Sequence, residues 1–307
     1  MSLVERALKK FQETRGPEPG AAAKPIAVGS VVVVGRDQDA HGAEAPGWSA
    51  DRVEPPRKKV IVSRTDLREA GVIPAPAHER VIAEQYRHIK RALIRNISGR
   101  GEVPIEHPRL IMMTSALSGD GKTFTSVNLA LSLATEKDRT CLLVDGDVAK
   151  PHVDSLFGVQ DEPGLLDALQ DDSVDVESLI LPTDVPGLSI LPAGRPREGT
   201  TELLSSERMH VILQRLESRD PRRVVLFDSP PILLSSEARI LLNVMGQVVF
   251  VVRAGVTPRA AVLEALGQID EHRYVGLILN QSETRPSGGY YGYGYGYGSE
   301  SNTANKK

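Results

Sequence analysis

The chain lacks most of the features that would tie it to oxidising, membranous or polyanionic surroundings. Its 307 residues include one cysteine, Cys141, so no internal disulfide framework can form and a reducing compartment is expected. Cys141 lies in an apolar strand pattern and reads as a buried thiol, not a nucleophile. No apolar run nears the ~20 residues of a membrane-spanning helix. Residues 1–11 carry too much charge for a signal peptide. These absences lead us to expect a soluble, cytoplasmic chain. The net charge of −3 argues neither for nor against a polyanionic partner, and no nucleic acid is expected as one. Aromatic residues make up 4% of the chain, and five of the seven tyrosines fall in one short stretch near its end.

What is present is ordinary for a globular protein: 40% hydrophobic and 25% charged residues, with length for one large α/β domain plus extensions. The most informative stretch is residues 110–123, LIMMTSALSGDGKT. An apolar run fit for a buried parallel strand leads into a small-residue loop, and a helical pattern follows over residues 123–135. Within it, Ala116-x4-Gly121-Lys122-Thr123 fits the phosphate-binding P-loop, with Ala in place of the first Gly. Such a loop wraps backbone N–H groups around a polyphosphate, and the helix N-terminus adds partial positive charge. Ala116, Ser118, Gly119, Asp120, Gly121, Lys122, Thr123 and Phe124 are therefore the expected nucleotide contacts. Lys122 would reach the β- and γ-phosphates, and the Thr123 hydroxyl would hold Mg2+. The plainer alternative is a Gly-rich turn that binds nothing.

Two more apolar strands end in carboxylates. Residues 141–147, CLLVDGD, finish on Asp145 and Asp147, and residues 224–231, VVLFDSPP, have the pattern of a Walker B segment with Asp228 as its acid. Acids at the C-terminal edge of a parallel sheet lie where α/β folds bind ligands. Three carboxylates gathered there would be costly without cations, which Mg2+ and Lys122 supply. The alternative for Asp145 and Asp147 is that they only cap the next turn. Further strands are expected at residues 188–191, 247–252 and 275–279, and helices at about 201–218, 235–244 and 258–270. This alternation implies a mostly parallel, doubly wound α/β sheet covered on both faces. Arg253 and Asn280, each just past a strand, fall at the ligand edge, where either could contact the base or simply belong to loop structure.

The flanks differ from this domain. Residues 1–15 hold a short amphipathic helix, with Ser2 and Glu5 as a capping pair and Val4, Ala7, Leu8 and Phe11 along one face. That stripe needs a surface, either the chain's own core or a partner. Residues 16–76, rich in Pro, Gly, Ala and charge, read as a mostly disordered linker. A helix over residues 78–95 opens the domain of residues 77–282, with Ile82, Tyr86, Ile89 and Leu93 as its packing stripe and Glu84, Arg87 and Lys90 on its polar side. Residues 283–307 form an expected flexible tail containing GGYYGYGYGYG, which displays Tyr290, Tyr291, Tyr293, Tyr295 and Tyr297. Alternating Tyr and Gly cannot build a core.

Taken together, these segments resemble the bacterial tyrosine kinases, P-loop proteins of the MinD/ParA-like group that phosphorylate a C-terminal tyrosine cluster. The resemblance covers residues 78–297 and includes LPAG at 191–194 and ELLSS at 202–206. It looks closest to the subgroup found beside exopolysaccharide and exosortase genes. It implies ATP and Mg2+ as cofactors and Lys122, Asp145 and Asp147 as the catalytic group. The metal would be held by Thr123, Asp145 and Asp228, with the five tail tyrosines as phosphoacceptors. It further implies a homo-oligomer using Glu84, Arg87 and Lys90, with the tail presented in trans to a neighbouring copy. A membrane-embedded polysaccharide chain-length regulator would activate the chain and hold it at the inner membrane, and a phosphotyrosine phosphatase would reset it. Three positions depart from the family: Ser118 stands where Pro is common, Ala149 replaces a frequent Arg, and Lys90 stands where Arg is usual. The rival reading is an ATPase switch of the partitioning and division-site type, which carries a second lysine where this chain has Leu117.

Overall fold

The computed structural model describes residues 58–283 except 197 and 272, together with the backbone of Ile26–Ala27. The expected N-terminal helix, most of the expected linker and the tyrosines of the tail lie outside the described residues.

The strands of the main sheet are β1 (Leu110–Ser115), β2 (Thr140–Asp145), β3 (Leu181–Pro182), β4 (Leu188–Leu191), β5 (Arg223–Asp228), β6 (Gln247–Arg253) and β7 (Tyr274–Asn280), and Ile26–Ala27 pairs separately with Ser282–Glu283 as an antiparallel ribbon. The seven main strands form one sheet in the order β3-β4-β2-β5-β1-β6-β7, parallel throughout except for the β3–β4 edge. This is the mostly parallel, doubly wound sheet that the strand–helix alternation predicts. The helices are α1 (Arg64–Glu69), α2 (Pro76–Ile97), α3 (Lys122–Leu133), α4 (His152–Phe157), α5 (Leu165–Gln170), α6 (Thr200–Leu204), α7 (Glu207–Ser218), α8 (Ser236–Val244) and α9 (Arg259–Leu266).

Alternation along the strands sorts the core into two layers. Leu110 and Met112 of β1, Leu142 and Val144 of β2, and Val225 and Phe227 of β5 pack with α5 to α9. Their neighbours Ile111 and Met113, Cys141 and Leu143, and Val224 and Leu226 pack with α1 to α4. Strands buried on both sides need apolar residues at both parities, which is why they read as unbroken runs. Cys141 is fully buried in the second layer, and burial pushes its thiol up to about 12, so it is structural as expected.

The linker expected over residues 16–76 does not extend to its stated end. Residues 58–76 belong to the folded domain: Val60, Val62, Leu67, Val72 and Ile73 are buried, and Val60 N–H donates to the Pro182 carbonyl at 2.9 Å. Ser63 caps α1 by accepting from Asp66 N–H, and Asn128 Nδ2 of α3 donates to the Val72 carbonyl at 2.7 Å. These apolar residues come in runs of one to three, separated by charged, polar, Gly and Pro residues, too short a pattern to show a period. The helix expected over residues 201–218 is two helices. Ser205 and Ser206 hydrogen-bond the carbonyls of Glu202 and Leu203 with their hydroxyls, which draws the backbone out of the helix at that point.

Candidate active site

β1 to β2 runs leftward past β5, whereas β5 to β6 runs rightward past β1, so the sheet's switch point lies between β1 and β5. A crevice at the strands' C-terminal ends is expected there, and residues 116–121 occupy that place. Gly119 and Gly121 have φ of +84° and +94°, in the left-handed region where glycine is favoured. Gly121 leads directly into α3, whose first turn carries Lys122, Thr123 and Phe124. Ser118 and Gly119 are exposed, Lys122 and Thr123 are half-buried, and Ala116 is buried beneath the loop.

The carboxylates arrive from β2 and β5. Asp145 and Asp228 are register partners at the ends of these adjacent strands. By strand parity both point toward the layer of α3 and α4, and the helix starts meet them there. Thr123 Oγ1 donates to Asp228 Oδ2 at 2.7 Å, and Ser126 Oγ donates to Asp228 Oδ1 at 2.8 Å. Asp145 Oδ1 accepts from Asp147 N–H at 3.2 Å, and its Oδ2 from Asp154 N–H at 3.0 Å. Asp145 is fully buried. Asp147 is half-buried and accepts from Lys150 N–H, so it is the more open of the pair.

Burial raises the proton affinity of all three acids. For Asp145 the rise is strengthened by the neighbouring charges of Asp154 and Asp228. For Asp147 and Asp228 it is offset in part by hydrogen bonds and by Lys122. Burial also pushes the Lys122 ammonium downward, against the pull of Asp228, Asp147 and Asp120. So much unneutralised acid around one half-buried lysine is an arrangement that a cation relieves. All the oxygen donors are hard, and Ser229, next to Asp228 in the chain, has a buried hydroxyl without a hydrogen-bond partner. The set fits Mg2+. Among the described residues no three His, Cys, Asp or Glu groups form a metal cage.

Two of the expected ligand-edge residues are engaged within the protein. Arg253 donates through Nε to Gln281 Oε1 at 2.6 Å. Asn280 is buried, with its Nδ2 donating to the Asp120 carbonyl and its Oδ1 accepting from Gln281 N–H. On α2, Glu84 and Arg87 are exposed and pair with each other at 2.8 Å. Lys90 does not share their face. It is 4% exposed, donates to the Ser132 carbonyl at 2.8 Å and to Thr135 Oγ1 at 3.0 Å, and pairs with Glu136 at 2.7 Å. Its long stem follows the apolar stripe inward, and its ammonium caps the end of α3, where helix carbonyls attract positive charge. Lys90 is thus tied within the subunit, apart from the exposed face that carries Glu84 and Arg87.

The structure adds Ser126, Asp154 and Thr257 to the site. Ser126 was open to detection, since it follows Thr123 by three residues and shares its helical face. Asp154, buried against Asp145, and Thr257, bonded to Asp120, gave no signal, because their partners are distant in the chain or in another element.

No family model matches the chain. It is similar to the tyrosine-protein kinase YwqD of Bacillus subtilis, at 31% identity over 235 residues, covering 75% of this chain and 94% of that one. It is also 32% identical over 188 residues to the tyrosine-protein kinase wzc of Salmonella typhi, covering 59% of this chain and 26% of that protein, so it spans about a quarter of that relative's length. Among solved structures, the VpsO kinase domain matches with a TM-score of 0.53 at 30% identity, covering 68% of this chain and all of that one. The kinase domain of the Escherichia coli tyrosine kinase ETK matches at 0.56 and 25% identity, covering 69% of this chain and 80% of that one. With the P-loop, the paired acids and a relative matched over nearly its whole length, the chain belongs to the bacterial tyrosine-protein kinase family.

Proposed function

We propose that the chain transfers the γ-phosphoryl group of ATP to tyrosines 290, 291, 293, 295 and 297 of a neighbouring copy, and so regulates exopolysaccharide synthesis or export. The observation that supports this reading most is the convergence of Lys122, Thr123, Asp145, Asp147 and Asp228 at one switch point, in a family of tyrosine kinases. Thr123, Asp145 and Asp228 would hold Mg2+, which when bound neutralises charge on the phosphates. The loop's N–H groups and Lys122 orient the triphosphate. A free phenol has a pKa near ~10 and must lose its proton during attack. Asp147, the more open acid, positions the phenol. Asp145, whose proton affinity burial has raised, takes the proton as the new P–O bond forms and ADP leaves with the old one. Because phosphoryl transfer is loose, a carboxylate is base enough and placement matters more. Glycines between the tail tyrosines let an extended backbone enter a cleft without side-chain clashes.

The activating partner in this reading is a membrane-embedded polysaccharide chain-length regulator, met by the Val4, Ala7, Leu8 and Phe11 stripe, and a phosphatase reverses the modification. Incubation of the full chain with ATP and Mg2+ tests the reaction. Phosphotyrosine in the tail supports transfer; free phosphate without it would support the ATPase switch, and neither product would support a scaffold.

A further inference from the structure

Asp120 lies within the phosphate loop and is held from two strand ends outside it. Asn280, the last residue of β7, donates through Nδ2 to the Asp120 carbonyl at 2.9 Å. Its Oδ1 accepts the N–H of Gln281 at 2.9 Å, so the orientation of the amide is fixed by partners at both ends. The Asp120 carboxylate is held as well: Oδ1 accepts from Thr257 Oγ1 at 2.6 Å, and Oδ2 from Leu117 N–H at 3.2 Å. Thr257 is itself placed by the N–H of Arg253, at the end of β6, which donates to its hydroxyl at 2.9 Å. Asn280 also fills the hollow left by the missing side chain of Gly121, for a Cβ there would stand 2.0 Å from its Nδ2.

The peptide between Asp120 and Gly121 is planar, so its C=O and N–H point in opposite directions. A donor that holds the carbonyl toward β7 therefore turns the Gly121 N–H the other way. In a phosphate loop such N–H groups bind the ligand's oxygens. We propose that Asn280, assisted by Thr257, is a positioning residue for phosphate recognition: it sets the Asp120–Gly121 peptide so that the loop is shaped for a triphosphate before one arrives. This rests on the ATP-binding part of the proposed function but not on phosphoryl transfer. Gly121 is then demanded twice, by its positive φ and by the amide packed against it.

The test uses the full chain with Mg2+ and three probes, ATP, GTP and inorganic tripolyphosphate, titrated by calorimetry. Asn280→Leu keeps the size of the side chain and removes both hydrogen bonds, and Thr257→Val removes the second tether without adding charge. Losing a hydrogen bond that holds a buried carbonyl should weaken binding about tenfold for Asn280→Leu and a few-fold for Thr257→Val, by the same factor for all three probes. A variant that binds ATP less well but keeps wild-type affinity for tripolyphosphate would mean a base contact and overturn the proposal. Unchanged affinities with a lowered unfolding temperature would overturn it too, leaving only a packing role. If Asn280→Leu fails to fold, Thr257→Val decides alone by the same criteria. A wild type that binds all three probes yet makes no phosphotyrosine would sink the kinase reading and leave this inference standing.

Discussion

Asp228 takes both its place and its partners from the parity of β5. The residues before it alternate between the two core layers, so the strand's last side chain must face α3, and Thr123 and Ser126 meet it there. Such strand-end acids are legible in a sequence because an apolar run that stops on a carboxylate beside a P-loop has few structural uses. The part played by Asn280 is not legible, since the carbonyl it holds lies 160 residues away. Asp228→Asn and Asp145→Asn should each lower the phosphorylation rate by on the order of a hundredfold, through loss of metal binding and of the proton acceptor. Asp147→Asn should cost less, and rates measured at saturating ATP would rank the three. Near-wild-type turnover in either of the first two would remove that residue from the mechanism. Lys122→Met should abolish labelling while leaving the unfolding transition close to that of the parent, because this ammonium faces the loop and the acids rather than apolar core.

Among the elements, α2 shows where sequence reading succeeds and where it stops. Its stripe of Ile82, Tyr86, Ile89 and Leu93 is buried as the spacing predicts. Lys90 sits next to that stripe, and a residue at its edge can turn either way. Its partners at the end of another helix, the Ser132 carbonyl, Thr135 Oγ1 and Glu136, decide that it turns in. Lys90→Met should therefore weaken folding by about 1–3 kcal/mol, since it strips a charged donor from buried acceptors. The mass of any assembly should stay the same. Arg87→Ala, on the exposed face, should show the reverse: little change in urea unfolding and a smaller assembly by light scattering. A Lys90 variant that only dissociates would return this residue to the interface. The six-residue helices α4 and α5 escaped the sequence reading because they are shorter than the window over which a helical period can be recognised.

Over the whole molecule, the cost of the acidic site should appear in the pH dependence of stability. Burial pushes the Asp154 carboxyl up from 3.8 to about 7, and the other site acids are raised with it. Between those values the folded chain binds more protons than the unfolded one, so stability falls as pH rises from about 4 to about 7. Metal-free protein in chelator should unfold at a higher temperature at pH 5 than at pH 8, and Asp154→Asn should flatten the difference. Protein that gains stability across that range would show that these acids are not destabilised by folding. The central claim, that this site phosphorylates the tyrosine tail of another copy, is tested most directly by mixing two chains with ATP and Mg2+. One carries Lys122→Met with its tail intact; in the other all five tail tyrosines are replaced by Phe and the active site is intact. Mass spectrometry should find phosphotyrosine on the tail of the Lys122→Met chain in the mixture and none when that chain is incubated alone. A mixture of two folded chains that stays unlabelled would contradict the account.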